Sequence, residues 1–125
     1  MPAGNAQLRA PFSSSQLVRI SDALHTADAE TQLTFSVYVG DLDSPTDAHA
    51  RRLHAQLEKP ADSVLLALAP NQRMLEIVTG EHTRARLTDQ SCGLVALSMA
   101  STLAGGDLTG AVVTGVRMLA DRARW

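Results

Sequence analysis

Aromatic side chains are scarce in this chain, only 3% of its 125 residues, so its core cannot rest on large rings. A single cysteine, Cys92, excludes an intrachain disulfide and a zinc site built from several thiolates. No apolar run approaches the roughly 20 residues that a bilayer-spanning helix needs. Met1 to Pro11 lacks the apolar middle of a secretory leader. Lysine is nearly absent too: Lys59 stands alone among 11 basic residues, and the formal net charge is −2. Such a balance offers no broad positive field for nucleic acid or anionic lipid. The expectations that follow are a cytoplasmic protein, no nucleic-acid partner and no direct membrane insertion.

What the chain does have is aliphatic material. Hydrophobic residues make up 45% of it, enough to bury a core of Leu, Val, Ile, Ala and Met in one ordinary domain. Pro2, Gly4 and Pro11 fall in a stretch without periodicity, which predicts a flexible tail over residues 1–12 and one domain over 13–125.

Ser13, Ser14 and Ser15 offer helix caps ahead of Leu17, Ile20, Leu24 and Ala27, a stripe at helical spacing that the polar stretch Asp28 to Gln32 ends. Leu33 to Val39 alternates as a strand does. After the loop Gly40 to Pro45, Thr46 or Asp47 caps a second helix. Ala50, Leu53 and Leu57 line its buried side, while Arg51, Arg52, His54 and Gln56 face solvent. Ser63 to Ala69 is apolar on both faces, the pattern of a covered central strand. Pro70 to Arg73 turns the chain into a strand over Met74 to Thr79, and Arg84 to Leu87 is a short fourth strand candidate. Two helices close the chain, one carrying Cys92, Val95, Ala96, Met99 and Leu103, the other Val112, Val116, Leu119 and Ala123. The fold expected is α/β: a three-layer α/β/α sandwich with a small mixed sheet of three to four strands, in the order α-β-α-β-β-(β)-α-α.

In open α/β sheets, ligands gather beyond the carboxyl ends of the parallel strands. With a fourth strand, Asp41, Asp43 and Asp89 would converge there, and clustered carboxylates call for a hard cation such as Ca2+ or Mg2+. Turn and cap duty is the plainer role for the same three residues, and Pro45 stands where a calcium loop needs an oxygen ligand. His25, His49, His54 and His82 form no metal motif, and Cys92 lies on an apolar stripe. Arg73, Arg84 and Arg86 gather on the hairpin region, without aromatic neighbours for base stacking. Gly110 and Gly115 have the glycine spacing of a phosphate-binding loop, yet Val116 and Arg117 follow where Lys and Ser or Thr are required. No nucleophile–base pair is recognisable, so no cofactor is assigned beyond that possible cation and the enzyme question stays open.

The stretch Asp62 to Gly80, DSVLLALAPNQRMLEIVTG, resembles the middle of the TPM-domain family: an apolar strand, a short polar turn, and a strand ending in glycine. Leu87-Thr88-Asp89 before a helix, then Gly106-Asp107-Leu108-Thr109-Gly110 before the last helix, resembles the rest of that domain. Phe35 to Asp43, FSVYVGDLD, together with this tail is also similar to an actinobacterial family of small uncharacterised proteins. The resemblance spans roughly residues 14–124 and is mostly structural. Members of the TPM-domain family include a thylakoid-lumen acid phosphatase, photosystem-repair factors and a receptor auxiliary protein, and some bind a divalent cation through acidic residues. Asp89 and Asp107 match the family's acidic positions. The resemblance implies a non-catalytic interaction or accessory factor with a protein partner, or alternatively a cation-dependent phosphatase using Asp41, Asp43 and Asp89.

Overall fold

A computed structural model describes residues 11–124. Helix α1 (Ser14–Thr31) opens on a capping box in which Ser13 Oγ accepts from Gln16 N–H and Gln16 Oε1 accepts from Ser13 N–H. The helix runs through most of the polar stretch that was expected to end it. Thr31 makes this possible, because its buried hydroxyl donates to Ala27 O at 2.7 Å and accepts from Leu33 N–H at 3.1 Å. Gln32 then turns the chain with φ 63°.

Strand β1 (Thr34–Val39), helix α2 (Thr46–Ala55), strand β2 (Ser63–Ala69) and strand β3 (Met74–Thr79) follow. Helices α3 (Asp89–Ala104) and α4 (Leu108–Ala123) complete the chain, and short 3-10 turns occupy Pro60–Asp62, Pro70–Gln72 and Glu81–Thr83. The sheet is mixed, in the order β1-β2-β3: β1 lies parallel to β2 with Thr34 opposite Ser63, and β3 lies antiparallel with Thr79 opposite Val64.

Alternation sorts the strand residues between two cores. Phe35, Val37, Val39, Val64, Leu66 and Leu68 meet α1, α3 and α4 through Ile20, Leu24, Val95, Met99, Val112 and Val116. On the opposite face Leu65, Ala67 and Ala69 meet Ala50 and Leu57, with Leu42 from the β1–α2 loop. β2 is buried along its whole length, as its apolar run requires. Among the described residues helices therefore cover both faces of the sheet, three on one side and one on the other.

Four expectations change. Neither Thr46 nor Asp47 caps α2, which starts from Pro45 without a side-chain cap while Thr46 bonds Glu76 and Asp47 bonds Arg51. Arg84 to Leu87 is not a strand: Thr83 caps back onto Gly80 O, Arg86 N–H and Leu87 N–H both donate to Thr83 O, and Leu87 plugs the larger core. Its alternation imitates a strand, but the chain is turning to reach α3. His54 is buried rather than solvated, because its Nε2 lies 2.9 Å from Ser63 O at the start of β2 and so has a partner. Phe12 is also buried and belongs to the larger core, whereas residues 1–10 of the expected tail lie outside the described residues.

Close approach governs Gly80 and Gly115. A Cβ on Gly80 would stand 2.0 Å from Pro60 O, so no side chain fits where the turn after β3 packs on the turn before β2. Gly115, inside α4, lies against the Met99 side chain and lets α3 and α4 close on each other.

Candidate functional site

Asp41 and Asp43 sit in the loop after β1, at the carboxyl edge of the parallel strands, with both side chains exposed. The loop is fastened at nearly every residue. Tyr38 OH donates to Asp41 O at 2.8 Å, and Asp43 N–H donates to His49 Nδ1 at 2.8 Å. Gln72 takes Leu42 N–H on Oε1 at 2.6 Å and returns Nε2 to Leu42 O at 2.7 Å, as a paired strand would. Leu42 thereby enters the smaller core. These partners account for His49 and Gln72, neither of which sequence spacing singled out.

Asp89 is elsewhere. Without a fourth strand, the chain stays beside the far end of β3, and α3 starts there. The Asp89 side chain lines a cleft of about 440 Å³ along β3, together with Asp47, Glu76 and Arg84. The structure does not bring Asp41, Asp43 and Asp89 together, and among the described residues no group of three His, Cys, Asp or Glu side chains could hold one metal ion. Asp107, the other acidic position of the resemblance, caps α4 through Gly110 N–H at 2.8 Å. Gly110 and Gly115 both lie within α4; Gly115 packs on Met99 of α3, whereas the space beside Gly110 is taken by the Asp107 cap of its own helix.

The arginines do not gather either. Arg73 forms the left-handed residue of the β2–β3 turn, with φ 55°. Arg84 reaches Thr79 O at the opposite end of β3, and Arg86 donates to Thr31 O at the end of α1. Among the described residues two groups, Asp28 and Cys92, are moved from their ordinary ranges. Burial raises the Asp28 carboxyl, against the downward pull of the Phe35 N–H bond and of His25. Burial, then the Asp89 charge, raises the Cys92 thiol, which favours the protonated, unreactive form.

The outer face of α3 is the feature that sequence reasoning passed over. From Gln90 to Gly106 there is no charged residue. Val95 and Met99 face inward, while Leu94 is 49% exposed and Leu97 70% exposed. Gly93, Ala100 and Ala104 are exposed beside them, so an uncharged, partly apolar strip runs the length of the helix. Surface helices ordinarily turn charge toward water. Toward its end, α3 borders a second cleft, of about 410 Å³, lined by Leu75, Ala100, Leu103 and Arg73. The signal available in advance was the charge-free run itself.

A family described as a domain of unknown function, DUF5130, matches residues 1–120 of this chain. The chain belongs to that family. An uncharacterised protein of Mycobacterium tuberculosis, found in two strains, is 32% identical over 116 residues, which cover 93% of this DUF5130 chain and 70% of the relative. Among solved structures, the N-terminal domain of a protein from P. gingivalis superposes with a TM-score of 0.80 at 19% identity, over 94% of this chain and 86% of the other. The N-terminal domain of a protein from Corynebacterium glutamicum gives 0.69 at 18%, over 93% and 76%. The BA42 protein of the psychrophile Bizionia argentinensis gives 0.74 at 13%, over 94% and 85%. At these identities the three structures establish a shared fold for the DUF5130 chain and nothing finer. The actinobacterial kinship expected from the sequence is present in the relatives; the TPM name is not among them. No helix among the described residues is long and apolar enough to cross a membrane.

Proposed function

We propose that this DUF5130 chain is a non-catalytic protein-interaction module, an accessory factor of the assembly or quality-control kind that the TPM-domain resemblance implies, working in the cytoplasm. The observation that carries this reading is the uncharged outer strip of α3, with Leu97 70% and Leu94 49% exposed. Exposing two leucines on one helix face costs hydration free energy that a partner would recover, roughly 1.5–3 kcal/mol for each side chain fully covered. Gly93 in the same strip supports the reading. Nothing lies within 4 Å of the position its Cβ would take, so the fold has no need of glycine there. A surface glycine gives up about 1 kcal/mol of helix propensity relative to alanine, yet it lets another backbone come close.

The alternative, a cation-dependent phosphatase, requires Asp41, Asp43 and Asp89 around one ion. It has less support, since Asp89 lines the cleft beside β3 rather than the loop that carries Asp41 and Asp43.

The test is comparative co-purification from an actinobacterial host, using the tagged protein and a double variant, Leu94→Lys with Leu97→Lys. Exposed substitutions of this kind shift stability by no more than about 0.5 kcal/mol, so the variant keeps its fold. A specific protein recovered with the native chain and reduced at least tenfold with the variant supports the proposal. Equal recovery of every protein by both chains overturns it.

A further inference from the structure

β3 is an edge strand, and its hydrogen-bonding parity can be worked out. Gly80 N–H donates to Ser63 O at 2.9 Å, which makes Gly80 and Ser63 a directly bonded pair of the antiparallel ladder. Counting back two at a time, Val78, Glu76 and Met74 bond toward β2, while Thr79, Ile77 and Leu75 turn their N–H and C=O groups outward. Two contacts agree with this. Leu68, opposite Leu75, points away from β3 and accepts from Gly40 N–H at 3.0 Å; Arg84 closes onto the outward Thr79 O at 3.2 Å. Leu75 and Ile77 are left with outward backbone groups that have no strand partner among the described residues.

Exposed edges are normally blunted by lysine, proline or a bulge. β3 has neither lysine nor proline, and its one charged residue, Glu76, is drawn aside to Thr46 Oγ1 at 2.8 Å. The open edge also lies in a trough. The two clefts described above follow one another along it, the first at Met74 and Leu75, the second at Glu76 to Thr79. α3 walls the first with Ala100 and Leu103, where Arg73 is the sole charged lining residue.

We propose that this edge accepts an extended peptide segment of a partner protein as a fourth strand, lodged between β3 and the flanking helices. The inference rests on the interaction reading above and specifies its mode. Strand addition satisfies two backbone N–H and C=O pairs at once, and affinity then comes from main-chain bonds with selectivity from alternate side chains. The occupant is an oligopeptide with aliphatic residues at alternate positions facing Leu103 and a carboxylate toward Arg73. Arg84 ends the open edge at Thr79, so about four residues pair. A second copy of this chain fits poorly: antiparallel pairing of two β3 strands would set Arg73 of one against Arg84 of the other.

The experiment is amide exchange by NMR on the full chain, free and with linear octapeptides selected from a phage-displayed library. In the free protein, Leu75 and Ile77 amides exchange at least tenfold faster than Glu76 and Val78. Selected peptides alternate aliphatic residues with one Asp or Glu, slow Leu75 and Ile77 exchange at least tenfold, and lose their acidic preference against Arg73→Glu. Failure to select any peptide overturns strand addition. So does selection of peptides that perturb only Leu94 and Leu97, a result that leaves the interaction reading standing. A sedimenting dimer with Leu75 and Ile77 already protected overturns it too, because the occupant is then a second copy. The co-purification comparison decides the interaction reading separately, since it reads Leu94 and Leu97 rather than the strand edge.

Discussion

Asp28 shows how a single polar side chain can serve the fold and strain against it. Its Oδ1 accepts from Phe35 N–H at 2.8 Å and so fixes the entry into β1 from the last turns of α1. Burial raises its carboxyl above the ordinary 3.8, and the backbone bond and His25 recover only part of that. The folded chain consequently holds this proton more tightly than the unfolded chain does. Stability from this group is then greatest at low pH and falls as pH rises through the raised value, levelling once both states are ionised. Asp28→Asn keeps the acceptor for Phe35 and removes the charge. Urea melts are expected to show the variant gaining on the native chain as pH climbs above 3.8, then running parallel to it. A gap that stays constant with pH contradicts the assignment. Residue-scale detail of this kind was poorly legible in the sequence. Asp28 looked like a terminating polar residue, and His54 like a solvated one. What changed their meaning was a partner far along the chain, Phe35 N–H in one case and Ser63 O in the other.

At the scale of elements the sequence was far more readable. β2 and β3 have the bounds that their apolar run and turn imply, and α3 and α4 begin at the caps Thr88 and Asp107. These signals are local: a cap residue, a proline or glycine, a periodicity of two or of 3.6. The fourth strand failed because four residues of alternation do not distinguish a strand from a turn that buries one leucine. That failure carried the site with it, since Asp89 reaches the carboxyl edge only if the chain reverses once more. α3 offers a prediction of its own. Gly93→Ala meets no neighbour within 4 Å and removes the helix cost of glycine, so thermal or urea unfolding should register a gain of about 0.5–1 kcal/mol. If the strip is a contact surface, the same variant loses partner in co-purification while becoming more stable. A gain in stability with undiminished recovery would count against a close backbone approach at Gly93.

For the whole molecule, layering decides which surfaces are left over. Among the described residues three helices crowd one face of the sheet and one covers the other, so β1 and β3 are both edges there and α3 lies at the margin of the three-helix layer. An amphipathic helix at that position should shed its apolar residues inward. α3 instead keeps Leu94 and Leu97 outside beside an open strand. Fold class and layer order were legible because hydrophobic patterning reports burial within the chain. A docking surface uses the same residue types and is invisible to that pattern until burial is known. The charge-free run from Gln90 to Gly106 was visible all along, but only the structure shows which part of it faces away from the core.

The most direct test of the interaction reading is site-specific photo-cross-linking in an actinobacterial host, with a photoreactive residue replacing Leu97 in one strain and Glu30, an exposed residue of α1, in another. The account predicts a discrete protein adduct from position 97 that is absent from position 30 and disappears when Leu94→Lys is added. Position 97 giving no adduct, or the same adducts as position 30, would contradict it.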